Sequence, residues 1–378
     1  MKRIAFYAPM KPPDHPTPSG DREMARALIA ALQQAGYSVD LVSRLQSRDG
    51  KGDPQTQRRI RDYAAREAER LAGLFDSEEP PDLWFTYHLY HKAPDLLGPA
   101  LSEKHGIPYV VAEASLAAKR RDGPWADGYA QSLAAIRRAD RIFQLNPDDS
   151  DGLRNTIGCA LPIVPLDPFL VDPPTALGEE KRQQIRREMA ENHGLDDAWP
   201  WLLAVGMMRD DAKRQSYALL AKALALAGVT KPLLIVGDGP ARPEIETLFS
   251  GRRQTAFLGA LDRDRLNEIY GIADLLVWPA ISEAYGMALL EAQASGLPVV
   301  AGDRPGVAGI VRHGETGLLT PEGDAEAFGK AVSQLVADAS MCLTMSIAAV
   351  AGVHKRHSLS AAAACLKQAL DPLMEREK

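Results

Sequence analysis

Cysteine and long apolar runs are scarce in this sequence of 378 residues. Its three cysteines, Cys159, Cys342 and Cys365, lie far apart and form neither a disulfide framework nor the close pairs of a zinc site. No stretch approaches the ~20 apolar residues that a membrane-spanning helix needs. The apolar run at the N-terminus is too short for a signal peptide and is typical of a first β-strand. These absences predict a cytoplasmic protein with buried, reduced thiols.

A strong excess of one charge is also absent. The chain has 44 Lys and Arg against 50 Asp and Glu, a net charge of −6. This balance excludes a general nucleic-acid-binding surface. The length is enough for two domains of ordinary size, each with its own core. A proline-rich stretch at 161–174 is typical of an extended connection between them.

Short apolar runs alternate with amphipathic helical patterns in both halves of the chain, which predicts parallel sheets built from βαβ units. The predicted strands are 3–8, 38–43, 82–87, 107–112 and 141–145, and then 201–205, 232–236, 255–259, 275–278 and 299–301. No G-x-G-x-x-G follows the first strand, which argues against a dinucleotide-binding domain.

The most informative stretch is 275–320. After the strand at 275–278, two glutamates eight residues apart, Glu283 and Glu291, flank the start of a helix predicted near Gly286. A helix N-terminus offers free N–H groups and a partial positive charge, which suit a phosphate. Carboxylates on either side of such a site are placed to bind sugar hydroxyls. Taken alone, the spacing is more often that of a solvated surface helix.

With its flanking sequence GMALLEAQASGLPVVA, this stretch resembles the E-x7-E region of retaining glycosyltransferases of family 4. The resemblance implies the GT-B fold, an α/β architecture of two Rossmann-like parallel-sheet domains that face each other across a cleft. It assigns 1–165 to an acceptor-side domain and 166–357 to a nucleotide-sugar domain, with 166–178 as linker. It also implies that a helix at 358–378 returns to the N-terminal domain.

The resemblance implies separate roles for the two glutamates. Glu283 would contact the transferred sugar, and Glu291 would bind the ribose of the nucleotide. The main chain between them would hold the diphosphate. That main chain belongs to Tyr285, Gly286, Met287 and Ala288.

The other loops of the second half carry further implied contacts. In the family an arginine follows the strand–Gly at this place, with a lysine some five residues on. Here Met207 stands in the arginine's place, so Arg209 and Lys213 are assigned to the donor diphosphate. The alternative is a mobile, solvated loop.

Two further elements of the second half match the family's nucleotide-binding turns. Gly237 and Gly239 match the G-x-G-P turn beside the nucleotide. Leu261 lies where the family cradles the base through main-chain groups.

The first half carries two weaker signals. Gly20 precedes the first helix where the family has a glycine loop beside the donor phosphates, although helix capping by Ser19 or Asp21 is equally favoured. His88 follows a strand end and matches a histidine that contacts the transferred sugar, with His91 as second choice. The alternative is a structural histidine pair.

Charged patterns elsewhere are assigned to capping or solvation. Asp262 and Asp264 form a D-x-D pattern that precedes a helix, so capping is favoured over a metal, and 149–151 is interpreted in the same way. We therefore expect no metal. The arginine-rich helix at 55–74 has a predicted apolar face, and its arginines form a solvated face. Contact of that face, or of 119–121, with an anionic acceptor or an acidic membrane surface is the alternative. The predicted apolar face comprises Ile60, Tyr63, Ala64, Leu71 and Leu74.

The resemblance implies a retaining, metal-independent hexosyltransferase of class EC 2.4 that needs no cofactor. Its donor would be a UDP- or GDP-linked sugar, and its acceptor a glycan, a lipid-linked acceptor or a small molecule. The implied setting is cell-envelope or exopolysaccharide synthesis, in the cytoplasm or at the inner face of the membrane. Two alternatives stay open, namely a GT-B epimerase or phosphorylase and a non-catalytic sugar-nucleotide-binding protein.

Overall fold

The structure, a computed structural model, describes residues 1–17, 19–158, 161–197 and 200–375. Cys159 therefore lies outside the described residues. The chain divides into two compact units, one of Met1–Asp167 with Leu359–Lys378 and one of Pro168–Ser358. Each unit has a six-stranded parallel sheet flanked by helices, which confirms the predicted α/β class.

The strands are β1 (Arg3–Tyr7), β2 (Ser38–Ser43), β3 (Leu83–Leu89), β4 (Tyr109–Ala114), β5 (Arg141–Gln144), β6 (Ile163–Pro165), β7 (Leu202–Val205), β8 (Leu233–Val236), β9 (Thr255–Gly259), β10 (Leu275–Trp278), β11 (Val299–Asp303) and β12 (Gly317–Pro321). The helices are α1 (Gly20–Gln34), α2 (Pro54–Ser77), α3 (Gly98–His105), α4 (Ala126–Arg138), α5 (Pro147–Ile157), α6 (Glu179–His193), α7 (Ala212–Leu226), α8 (Arg242–Leu248), α9 (Arg263–Ile272), α10 (Met287–Ala294), α11 (Pro305–Ile310), α12 (Ala325–Ala337), α13 (Ala339–Arg356) and α14 (Leu359–Met374).

The first unit has the strand order β2-β1-β3-β4-β5-β6. Its inner strands are mostly apolar and buried because helices cover both faces of a parallel sheet. The edge strand β6 corrects the prediction that 161–174 is only a connection. Ile163 pairs with Ile142, and Pro165 with Gln144. A proline is tolerated there because one side of an edge strand makes no ladder hydrogen bonds.

The last helix, α14, packs on α1 within the first unit. Gln34 Nε2 donates to Ser360 Oγ at 2.8 Å, and Tyr37 OH donates to Asp371 Oδ1 at 2.7 Å. The C-terminal segment is thus part of the first unit and packs on α1, although the two helices are far apart in the sequence.

The second unit has the strand order β12-β11-β10-β7-β8-β9. The chain runs from β7 outward to β8 and β9, then returns to the other side of β7 with β10. This reversal between β7 and β10 is a topological switch point, where open α/β sheets bind ligands beyond the carboxyl ends of the strands. The loops that follow β7 and β10 therefore occupy the most favoured ligand position of this sheet.

Several local predictions are wrong in detail. Lys213 lies inside α7 rather than in a loop, since the side chain of Asp211 caps that helix. His88 lies within β3, not after it. No single helix in the described part of the chain is long and apolar enough to cross a membrane.

The apolar face of α2 also differs from the predicted one. Its buried residues are Ala64, Leu71 and Phe75, whereas Tyr63 and Leu74 are 51% and 37% exposed. Phe75 lies one residue beyond the predicted helix end, and its inclusion rotates the buried stripe around the helix axis. The arginine-bearing face remains exposed to solvent.

Candidate active site

The loop between β10 and α10 has an unusual backbone. Ala280 and Ser282 have φ values of 55° and 51°, in the left-handed region that side chains other than glycine rarely adopt. Neighbouring elements hold the loop, since Ile281 N donates to Ser216 Oγ at 3.1 Å and Ser282 N donates to Glu322 Oε1 at 2.8 Å. Strain of this kind persists only where surrounding contacts impose it, and it is common at functional sites.

Glu283, in this strained loop, meets a lysine from the first turn of α7. Its Oε2 forms an ion pair with Lys213 Nζ, and Trp278 Nε1 donates to the same oxygen at 3.3 Å. Lys213 Nζ lies 5.3 Å from the centre of the Trp278 ring, within cation–π range. The side chains of Lys213 and Glu283 are only 18% and 16% exposed. The structure thus joins two sequence-predicted residues that are 70 positions apart.

Trp278 is a member of this cluster that sequence reasoning missed. It is the last residue of β10, is 2% exposed, and stacks edge-on against Tyr217 with ring centres 5.0 Å apart. Its position at the carboxyl end of a predicted strand is the sequence signal that could have identified it.

The N-terminus of α10 follows directly. Gly286 precedes the helix with φ 74°, and the helix begins at Met287. The first N–H groups of a helix have no partner within it, so the main chain of Met287 and Ala288 is suited to an anion. The preceding segment is tightly packed, because a Cβ on Gly306 would stand 1.6 Å from the carbonyl oxygen of Ala284.

Glu291 lies one turn into α10 and is half-buried. It accepts a hydrogen bond from Tyr270 OH at 3.0 Å. Burial raises the pKa of this carboxyl group, and burial together with the neighbouring Glu291 raises the pKa of Tyr270. Tyr270 was not a predicted site residue, and its position in α9 gives no local signal of the contact.

Gly237 and Gly239 allow a close backbone approach. Their φ values are 141° and 151°, and Cβ atoms on them would lie 1.9 Å from the Gly206 carbonyl oxygen and 2.5 Å from that of Met208. The turn after β8 therefore packs directly on the loop after β7. Only glycine fits at either position.

The two predicted cations have different environments. Lys213 reaches Glu283, whereas Arg209 is 53% exposed and forms an ion pair with Asp211 at 3.1 Å. Leu261 lies between β9 and α9 and is half-buried. Asp262 accepts from Arg265 N at 2.9 Å and caps α9, as predicted for the D-x-D pattern.

In the first unit, His88 forms a pair with a carboxylate. Its Nδ1 lies 2.9 Å from Asp21 Oδ1, and its φ is 61°. Burial alone would lower the pKa of His88, but the hydrogen bond that it donates to Asp21 and the charges of Glu113 and Asp21 raise the pKa above the usual value. By contrast, burial and the nearby cations Arg120 and Lys92 lower the pKa of His91.

Gly20 is the first residue of α1, and Ser19 caps that helix by accepting from Arg22 N at 3.3 Å. A Cβ on Gly20 would meet no atom within 4 Å, so packing within the unit does not require glycine there. Because Ser19 is the cap, Asp21 is available to His88, a pairing that the sequence did not predict.

Residues 200–338 match the family model described as Glycosyl transferases group 1. This segment of the chain is therefore similar to a glycosyl transferases group 1 domain. The matched segment contains Lys213, Trp278, Glu283 and Glu291, and so includes the whole cluster at the switch point of the second sheet.

Several curated proteins to which the chain is similar are named as glycosyltransferases. The chain is 26% identical over 270 residues to an alpha-D-kanosaminyltransferase of Streptomyces kanamyceticus, a match of 70% of this chain and 68% of that protein. It is 27% identical over 288 residues to a D-inositol 3-phosphate glycosyltransferase of Rhodococcus erythropolis, covering 70% of this chain and 63% of that protein.

Solved structures share the fold over nearly the whole chain. A sucrose-phosphate synthase of Thermosynechococcus elongatus superposes with a TM-score of 0.73 at 21% identity, covering 100% of both chains. The Anabaena protein HepE in complex with UDP superposes with a TM-score of 0.74 at 16% identity, covering 98% of this chain and 100% of that one. The two-sheet architecture is thus that of GT-B glycosyltransferases.

Proposed function

We propose that this protein is a retaining, metal-independent glycosyltransferase of family 4 that moves a hexosyl group from a nucleotide-diphosphate sugar to an acceptor hydroxyl. The observation that carries the proposal is the convergence of Lys213, Glu283 and Trp278 at the switch point of the second sheet, beside the N-terminus of α10. A cation, a helix N-terminus and a carboxylate are the groups that a diphosphate linked to a sugar requires.

The relatives support the nucleotide-sugar donor. The Anabaena protein HepE is described in complex with UDP, and in a further structure with UDP-glucose. Two of the curated relatives are named as a 2-deoxystreptamine glucosyltransferase and a D-inositol 3-phosphate glycosyltransferase. A UDP- or GDP-linked sugar is the proposed donor, and a glycan, lipid-linked or small-molecule hydroxyl is the proposed acceptor, used in making envelope or exported glycans.

In the proposed reaction the protein acts mainly by stabilising the charge that develops on the leaving group. The bond between the sugar anomeric carbon and the β-phosphate oxygen breaks, and a bond from the acceptor oxygen forms on the same face. Negative charge develops on the leaving diphosphate, where Lys213 and the Met287 and Ala288 amides stabilise it. A donor phosphate oxygen takes the acceptor proton.

The remaining predicted residues take supporting roles in this proposal. Glu283 orients the transferred sugar and Glu291 holds the ribose, with Gly237, Gly239 and Leu261 around the nucleotide. Arg209 exchanges its exposed partner Asp211 for the diphosphate. In the first unit, His88 orients the sugar and Gly20 leaves room beside the phosphates. No step requires a metal, since the D-x-D carboxylate Asp262 is used in capping.

The test is calorimetric binding of UDP, GDP and their sugar conjugates, followed by transfer assays with the best donor. Lys213→Met is expected to weaken diphosphate binding by about 10–100-fold, the range for a charge-assisted contact. Arg187→Met, on the exposed face of α6, is the control. A chelator should leave transfer unchanged, and NMR of the product should show the donor's anomeric configuration.

Three results would contradict parts of the proposal. Equal nucleotide affinity in Lys213→Met and wild type would place the donor elsewhere. Nucleotide release that is independent of every acceptor would indicate hydrolysis or epimerisation. Tight nucleotide binding without turnover on any acceptor would indicate a binding protein.

A further inference from the structure

A cleft lies at the amino ends of β8 and β9, whereas the candidate active site lies beyond the carboxyl ends of the strands of the same sheet. It has a volume of about 550 Å³, which is in the range of small-molecule sites. Its walls come from the end of α7 and the residues leading into β8, and from the end of α8 and the residues leading into β9. Both walls precede their strands, whereas the candidate active site follows the strands. The two sites are therefore separated by the length of the sheet.

The walls of this cleft are largely apolar. Leu224 and Phe249 are 2% and 3% exposed and form its floor with neighbouring small residues. Leu248 and the adjacent Leu226 are 43% and 61% exposed, although large apolar side chains usually avoid water. The remaining apolar lining residues are Ala221, Ala225 and Val229.

Two arginines interrupt this apolar surface, the exposed Arg253 and the half-buried Arg252. Arg252 lines the cleft, its Nε is buried without a hydrogen-bond partner, and its Nη2 donates to the carbonyl oxygen of Lys231. Among the residues that the structure describes, no carboxylate pairs with Arg252. Burial lowers the pKa of Arg252 to about 10, so the guanidinium is still charged at neutral pH.

A buried cation without a counter-charge is costly in free energy and is rarely retained unless something pairs with it. Arginine recognises planar anions with several donors, and the half-buried side chain of Arg252 lines the cleft. Arg253, Gln254 and Thr230 supply further donors on the same rim. The apolar floor requires a ligand with an apolar body, and Arg252 requires that the ligand carry a negative charge.

We propose that this cleft binds a small amphiphilic anion, whose apolar body lies against Leu224, Val229 and Phe249 and whose single phosphate or carboxylate pairs with Arg252. The site is separate from the proposed donor site, so it does not depend on the identity of the sugar nucleotide. It provides a place where an apolar, anionic metabolite binds without competing for the active site.

The test uses decyl phosphate, below its micelle-forming concentration, as the probe in calorimetric titrations of the full chain. Decanol and inorganic phosphate are the matched controls, because each lacks one half of the probe's chemistry. Wild type should bind decyl phosphate saturably, and each control at least tenfold more weakly. Arg252→Met should weaken decyl phosphate binding by about 10–100-fold and leave decanol unchanged.

Two further variants make the result specific. Ala225→Trp fills the cleft from an exposed position of α7 and should also weaken binding, whereas Arg187→Met on α6 should not. Arg252→Met should melt at or above the wild-type temperature, because it removes an unpaired buried charge. Absence of saturable binding to wild type, equal binding to Arg252→Met, or equal binding of decanol overturns the proposal.

Discussion

The ion pair between Lys213 and Glu283 predicts how the free nucleotide should respond to a change in the carboxylate. In the structure Lys213, the proposed diphosphate ligand, is already neutralised by Glu283. A diphosphate must compete with that carboxylate for the ammonium group. Glu283→Gln keeps the size of the side chain and an oxygen for Trp278 Nε1, but it removes the competing charge.

The expected magnitude follows from the burial of the pair. Both side chains are more than four-fifths buried, at 18% and 16% exposed, so their interaction exceeds the near-zero median of surface pairs. It stays below the cost of breaking a completely buried pair. We therefore expect the interaction between Lys213 and Glu283 to be worth about 1–2 kcal/mol. UDP should therefore bind Glu283→Gln about 5–30-fold more tightly than wild type. Sugar transfer should fall in the same variant, since the proposed sugar contact is lost.

The assay is calorimetric titration with UDP at two salt concentrations, paired with a transfer assay. The matched control is Asp211→Asn, which releases Arg209 from an exposed pair and preserves the helix cap. Because that pair is 53% and 46% exposed, we expect less than about a fivefold change. Unchanged or weaker UDP binding by Glu283→Gln would refute the competition between this carboxylate and the diphosphate.

Three further predictions concern stability and ionisation. Gly237→Ala should destabilise the fold by about 2–4 kcal/mol in urea unfolding, because the new Cβ collides with a backbone carbonyl oxygen. The control Gly309→Ala, whose Cβ meets nothing within 4 Å, should cost less than about 1 kcal/mol. Similar values for the two variants would contradict the close backbone approach at Gly237. Burial raises the pKa of Glu291 above 4.5, so ionisation of this carboxyl group destabilises the fold increasingly as pH rises through the folded-state pKa. Glu291→Gln should therefore gain stability relative to wild type between pH 5 and pH 8. A stability difference that does not change with pH would contradict the raised pKa. Asp21→Asn should lower the pKa of His88 in an NMR titration. The raised pKa of His88 stabilises the wild-type fold fully below pH 6.5, and this stabilisation is lost as pH rises through the folded-state pKa. An unchanged titration curve would show that Asp21 does not raise the pKa of His88.

Several strands of both sheets could be predicted from local sequence. The strand at 38–43 in the first sheet and the strands at 255–259 and 275–278 in the second have the predicted bounds. Buried parallel strands are mostly apolar, and proline or glycine often ends them. A few adjacent residues therefore indicate where such a strand begins and ends. The cap of α9 by Asp262 is equally local.

The positions where prediction failed depend on distant parts of the chain. Residues 163–165 become a strand only because β5 offers a free edge. The phenylalanine at position 75 is buried because of what α2 packs against, not because of the helix period alone. His88 adopts a left-handed backbone inside a strand, which no local pattern signals.

The sequence by itself determined the α/β class, the strand bounds around the switch point, and the residue types from which a nucleotide-sugar site would be built, because apolar period, helix starts and glycine turns are local properties. Tertiary structure decided which of those residues meet. It brought Lys213 into contact with Glu283 and Trp278, paired Arg209 with Asp211, and left the Nε of the half-buried Arg252 without a hydrogen-bond partner. Ion pairs, cation–π contacts and desolvation depend on distances between residues far apart in the chain, and only the folded sheet sets those distances.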